Sequence, residues 1–172
     1  MLNHRSSKAL CALVSALALA GFSGCGDDDE EKSAGATTEE TTSSSSSDGA
    51  VDAYKKEFEA AGTDFRDAAQ DSATDVQGAT DTAGRVKALE GLKGVVTDAA
   101  DSFEGLDPPA EVQADNDKLV SQFRSVAEQV DAVKNALQSE DQPAAQAAAQ
   151  RLQRAQTTIG KTLTSIESKV GN

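Results

Sequence analysis

Apolar residues recur at steps of three and four in four separate stretches of the chain. The first holds Val51, Tyr54, Phe58, Ala61, Phe65, Ala68 or Ala69, and Val76. The second holds Val86, Leu89, Leu92, Val96, Ala99, Phe103 and Leu106. The third runs through Val112, Leu119, Phe123, Val126, Val130, Val133 and Leu137, and the fourth through Ala145, Ala148, Leu152, Ala155, Ile159, Leu163, Ile166 and Val170. Each pattern is one apolar stripe on a helix. Helices of roughly 25–30 residues are about 40 Å long at 1.5 Å per residue.

Helix breakers separate the stripes. Gly78 reads as a stop and Thr80 as the next cap. In Asp107-Pro108-Pro109-Ala110-Glu111, Asp107 suits a cap, Pro108 the first helical position and Glu111 the positive helix end. Ser139-Glu140-Asp141-Gln142-Pro143 is the next break, and Gly171 ends the last helix. Short loops force antiparallel neighbours, so residues 51–172 are predicted to be an all-α, up-down-up-down four-helix bundle. The alternative is a longer pair of helical hairpins that closes its core by dimerising. Two details bear on stability. Gly84, Gly91 and Gly94 fall in the second helix, each costing about 1 kcal/mol against alanine. That makes it the weakest helix, unless the glycines admit a neighbouring backbone. Asn116 falls on the apolar face between Val112 and Leu119; a buried Asn can fix pairing register, but close to a helix end hydration is the expected state.

Composition agrees with small-residue helical cores. Aromatics are only 3 % and Trp is absent, which disfavours a β-sandwich. The 172 residues carry a formal charge of −13. The segment after Ala50 has 21 acids and 13 bases. Such a surface argues against nucleic acid and against a polybasic membrane contact.

The chain ahead of Val51 is different. Residues 26–50 contain eight acids, one lysine and a run of five serines, with only Ala34, Ala36 and Ala50 as apolar residues. A segment of that kind cannot offset its ordering entropy, and is expected to be a disordered tether spanning roughly 25–30 Å. Asp27 to Glu31 bring five acids together, a solvated spacer rather than a calcium site. Arg5 and Lys8 precede an apolar run from Ala9 to Ala20, and Gly21 to Gly24 follow it. Twelve residues are too few to span about 30 Å of hydrocarbon, but they fit the core of a secretion signal.

Phe22-Ser23-Gly24-Cys25 resembles the processing site of bacterial lipoproteins, in which an aliphatic residue, a small one, and Gly or Ala precede Cys. Phe22 departs from the usual Leu. The resemblance implies thioether lipidation of Cys25, cleavage between Gly24 and Cys25, and a mature chain on the outer face of a cell membrane. Residues 1–24 would then be the signal and 25–50 the lipidated tether. The other reading is ordinary secretion, with cleavage after Ala18-Leu19-Ala20 and Cys25 as a free thiol. The Leu106-Asp107-Pro108-Pro109 turn and the half that follows are similar to uncharacterised secreted bacterial helical domains, which implies a fold and no activity.

Candidate chemistry is sparse. Removal of the signal takes Cys11 and the single histidine, His4, with it. The remainder lacks the imidazole and free thiol on which histidine acid–base catalysis, cysteine nucleophiles and imidazole or thiolate metal sites depend. It also lacks a P-loop and the Glu-x-x-His of di-iron bundles. Asp64, Asp67, Asp71 and Asp75 line one side of the first helix. Their spacing suits either a hard cation or a plain solvated face, and the solvated face is the expectation. Asp115 and Asp117 beside Lys118 read as ordinary surface charges. Serines and lysines are plentiful, but no spacing singles out a Ser–Lys dyad. Tyr54, Phe58, Phe65, Phe103 and Phe123 fall on buried faces, as core rather than ligand cavity.

The expectation is therefore a non-enzymatic envelope lipoprotein without cofactor. It is held to the membrane by a lipid on Cys25, and its bundle meets an envelope protein, a wall polymer or another copy of itself. The alternative is a binding protein for a small molecule or calcium, using the bundle interior or the acidic face.

Overall fold

The computed structural model describes residues 45–171, with side chains from Gly49 onward. The apolar run, Gly24, Cys25 and the acidic segment as far as residue 44 lie outside the described residues. Four helices follow in order: α1 (Ser45–Gly78), α2 (Thr82–Glu104), α3 (Ala110–Gln138) and α4 (Gln142–Val170). Three connectors of three to five residues join them. Each helix reverses the direction of the one before, which gives the antiparallel four-helix bundle that the stripes predict.

The boundaries differ from expectation at three places. α1 begins at Ser45, so residues 45–50 are helical rather than part of the tether. Extending an existing helix is far easier than nucleating one, so a stretch with no apolar stripe of its own, such as exposed Gly49 and Ala50, joins the helix it adjoins. The cap of α2 is Asp81, not Thr80; its carboxylate accepts the Gly84 N–H at 2.7 Å. Neither Asp107 nor Pro108 starts α3. Pro109 is the N-cap, at φ −57° and ψ 153°. A residue before proline is pushed out of the helical region, so Pro108 ahead of Pro109 is a poor helical residue. Glu111 does sit in the first turn of α3, and Asp141 caps α4 by accepting the Ala144 N–H at 2.9 Å.

α3 ends in a Schellman turn. Asp141 N–H donates to the Ala136 carbonyl and Glu140 N–H to that of Leu137. Glu140 takes the left-handed position at φ 57°, where glycine is usual.

The core divides by side-chain size. At the end where α1 and α3 begin, the rings form a series: Tyr54 on Phe58 at 5.6 Å, Phe58 on Phe103 at 5.2 Å, Phe103 stacked on Phe123 at 5.4 Å, and Phe65 edge-on to Phe123 at 5.0 Å. These rings lie on α1, α2 and α3, and Leu119, Val112 and Ile166 are buried with them. At the far end the buried residues of α1 are Ala69, Ser72, Ala73 and Val76. Ala73 and Val76 make a separate small cluster against half-buried Ala88.

Gly84 lies against Ala79 and Asp81 of the preceding connector, but the two glycines in the middle of α2 do not admit a neighbouring helix. Gly91 and Gly94 face outward, and a Cβ at either would meet no atom within 4 Å. The long packed seams are α2 with α3 and α3 with α4; α1 rides mainly on α2 and approaches α4 at few positions. Among the described residues no helix is long and apolar enough to cross a membrane.

Candidate functional site

Asn116 sits at the centre of the most enclosed polar group. Its side chain is 2 % exposed, which overturns the expectation of a hydrated residue. Its Nδ2 donates to the Phe103 carbonyl at 2.9 Å, and its Oδ1 accepts from the Tyr54 hydroxyl at 3.1 Å. The cause lies in α2. Phe103 is in that helix's last turn, where carbonyls have no intrahelical donor. Asn116 supplies one, beside the longer contact from the Leu106 N–H at 3.4 Å, and Tyr54 donates to the Asn116 oxygen. Burial, with the Asp115 charge as a smaller contributor, pushes the Tyr54 hydroxyl up to about 12 from 10.0. An un-ionised phenol hydrogen-bonded to an amide does no acid–base chemistry near neutral pH.

Asp115, expected at the surface, is instead the hub of a cross-helix cluster on α3 and α4. Ser165 Oγ donates to its Oδ2 at 2.7 Å, and Lys169 Nζ lies 2.8 Å from the same oxygen. Lys169 also donates to the Glu111 carbonyl at 2.9 Å. The Lys169 hydrogen bond, then that of Ser165, holds the Asp115 carboxyl below the usual carboxylate range. Ser, Lys and Asp together invite comparison with a nucleophile and its base. The arrangement is unsuited to that role, because Lys169 is committed as a donor to two oxygens and a carboxylate of lowered pKa is a weak base. The cluster fastens the start of α3 to the end of α4.

A third group joins α2 to α3. Lys93 and Lys134 both reach Asp131, Lys134 at 3.1 Å, and Lys134 lies 3.6 Å from Glu90. The Lys93 hydrogen bond, followed by that of Lys134, lowers the Asp131 carboxyl, and Asp131 raises Lys134 in turn. Arg124 meets Glu104 at 2.6 Å on the same seam.

The acidic stripe stays on the surface. Asp64, Asp67, Asp71 and Asp75 are all exposed on α1. Among the described residues no three His, Cys, Asp or Glu side chains are grouped to hold a metal ion. The bundle interior is filled where the aromatics meet, and a cavity of about 490 Å³ lies beside α3 and the end of α2 instead. Buried Asn116 and Val120 and half-buried Leu106 line it, together with exposed Glu104, Arg124 and Glu128. Arg124 is already paired with Glu104, so the cavity offers no convergent, desolvated set of polar groups. The Oε1 atoms of Gln122 and Gln129 are enclosed without a hydrogen-bond partner, while Gln122 Nε2 donates to Thr162 Oγ1 at 3.1 Å across the α3–α4 seam. Buried orphan acceptors of this kind are ordinary positions for ordered water.

The sequence pattern places the aromatics on buried faces, but it puts Asn116 in water and Asp115 among the surface charges and so misses both roles. The signal for Asp115 was faint: it lies four residues before Leu119, on the flank of the α3 stripe. The candidate processing residues, Gly24 and Cys25, are outside the described residues. No protein-family model, curated protein or solved structure gives a significant match to the chain.

Proposed function

We propose that the chain is a bacterial lipoprotein, anchored through a lipid on Cys25 to the extracytoplasmic face of the cell membrane. Its bundle serves as a non-enzymatic interaction or structural module of the envelope. One observation carries this reading: an apolar run behind two basic residues closes on Ser23-Gly24-Cys25. A small residue ahead of a lone cysteine is what lipid transfer to a thiolate followed by proteolysis requires, and two or more acyl chains hold a protein far more firmly than one. The body of the chain is compatible. His4, Cys11 and Cys25 all precede it, and Asp115 and Asp131 are engaged in joining helices. The partner is an envelope protein, a wall polymer or a second copy. An acidic surface is a poor match for nucleic acid. A small-molecule or calcium-binding role has less support, given the aromatic packing at one end of the core and the exposed, dispersed carboxylates of α1.

The test is metabolic labelling. A tagged full-length chain and its Cys25→Ala variant are expressed in a bacterium fed an alkyne-bearing fatty acid, and the membranes are separated. The labelled chain is expected in the membrane fraction, and Cys25→Ala is expected to lose both label and membrane association. An unlabelled chain released from the cell would replace this reading with ordinary secretion after Ala20.

A further inference from the structure

We infer that α1 is a detachable helix. It undocks as a unit while α2, α3 and α4 remain packed, and its departure uncovers the aromatic strip formed by Phe103 and Phe123.

The distribution of packing supports this. α3 is the hub, with extensive packing against both α2 and α4. α1 leans chiefly on α2 and meets α4 at few positions. The cross-helix ion pairs reinforce the same two seams, with Lys93, Lys134 and Arg124 joining α2 to α3 and Asp115 with Lys169 joining α3 to α4, and the hydrogen bond from the Tyr54 hydroxyl to Asn116 is the polar tie that undocking of α1 must break.

The apolar surface that α1 contributes is concentrated in its first half. Tyr54 and Phe58 are its large, fully buried side chains, and half-buried Phe65 completes the ring series. Beyond Phe65 it buries three small residues, Ala69, Ser72 and Ala73, which remove little area from water, and one larger side chain, Val76. Ala73 and Val76 stand apart from the main core. Asp64, Asp67, Asp71 and Asp75 set like charges at helical spacing along the exposed side, each pair weakening the helix slightly. A long helix held by one aromatic clasp and a few small residues is the least stable cooperative unit of such a fold. Opening it takes Phe58 off Phe103 and Phe65 off Phe123, leaving a contiguous apolar surface on the remaining three helices. The segment before Ser45 enters at the Tyr54 end, so whatever binds or pulls on that segment acts on α1 first.

Native-state hydrogen exchange on the full chain tests the idea, using wild type and Arg154→Gly. Arg154 is exposed on α4, and glycine there weakens that helix without touching α1. In wild type, α1 amides are expected to exchange at least tenfold faster than the slowest amides of α3, through an opening with a smaller urea dependence. Arg154→Gly is expected to speed the slow amides of α3 and α4 about fivefold and to leave α1 unchanged. If α1 were as well protected as α3, or accelerated in step with α4, the bundle would open in one transition and the inference would fall.

Discussion

The Tyr54 hydroxyl donates to Asn116 Oδ1 at 3.1 Å, joining residues 62 apart in sequence and fastening α1 to α3 inside the core. Asn116 passes the connection on to the last turn of α2 through the Phe103 carbonyl. Three helices therefore share one amide. Replacing it by alanine strands the Tyr54 phenol, at a cost of about 1–3 kcal/mol, and leaves the Phe103 carbonyl with the Leu106 N–H alone, at 3.4 Å. Asn116→Ala is expected to lower unfolding stability by about 2 kcal/mol. Tyr54→Phe keeps the ring contacts and leaves one acceptor unmet, for about 1–2 kcal/mol. Urea unfolding checks both: the midpoint should fall with the slope unchanged, and equal, negligible effects would mean that water replaces the bonds.

The same tyrosine makes the fold sensitive to alkali. In the unfolded chain its hydroxyl ionises near 10.0; in the folded chain it holds its proton to about 12. The resulting stability is fully present below pH 10 and is lost as pH rises through 12, because the unfolded state releases the proton first. Two units correspond to roughly 2–3 kcal/mol. The chain has one Tyr and no Trp, so ultraviolet absorbance of the phenolate reports this group alone. Folded protein should ionise well above pH 10, and denatured protein near it. Coincident curves would show that Tyr54 is not enclosed.

Acid acts through a different pair. Asp115 and Asp131 are held below their ordinary 3.8 by Lys169 with Ser165 and by Lys93 with Lys134. Lowered carboxyls contribute stability that is present above the unfolded value and lost as pH falls through the folded one. Both side chains are partly screened, at 18 % and 31 % exposed, so the loss is gradual. Carboxyl NMR titration should place Asp115 below the ordinary 3.8. Lys169→Met should move it upward and leave Asp131 in place. An Asp115 midpoint indifferent to Lys169 would mean that the pair is absent in solution.

The helical stripes were legible because a period of three to four survives any detail of packing. The aromatics fell on buried faces for the same reason. Roles fixed by the ends of other helices were not legible. Asn116 lies near the start of α3, where hydration is the usual fate, and its partner is a carbonyl freed only because α2 stops at Glu104. Asp115 is one residue away on the flank of the stripe, and its meaning depends on the register of α4, which places Ser165 and Lys169 opposite. Capping turned on single residues: Thr80 and Asp81 are both good caps, and the Gly84 N–H selects Asp81. Close approach of a neighbour was the one alternative to plain weakening at the α2 glycines, and Gly91 and Gly94 face open space.

Those glycines give a prediction of the opposite sign. A methyl group at Gly91 or Gly94 would meet nothing within 4 Å, and both residues are helical and exposed. Alanine then gains helix propensity without a steric cost, about 0.5–1 kcal/mol at each site. Gly91→Ala with Gly94→Ala should raise the thermal midpoint additively. A drop would show that something in solution lies against the outer face of α2.

Glu140 presents the reverse case, a side chain where the backbone favours none. Its φ of 57° is imposed by the Schellman turn, in which Asp141 N–H reaches the Ala136 carbonyl at 2.9 Å and Glu140 N–H reaches that of Leu137 at 3.3 Å. A Cβ in that region crowds the following carbonyl, at roughly 1–2 kcal/mol. Glu140→Gly removes the crowding but adds freedom to the unfolded chain, so the net gain is about 0.5–1 kcal/mol. Glu140→Val should lose stability, since a β-branched residue resists positive φ. Urea unfolding of the pair reads the difference directly. If both variants matched wild type, the α3–α4 turn would have relaxed to another conformation, and the cap at Asp141 would lose its register with Ala144.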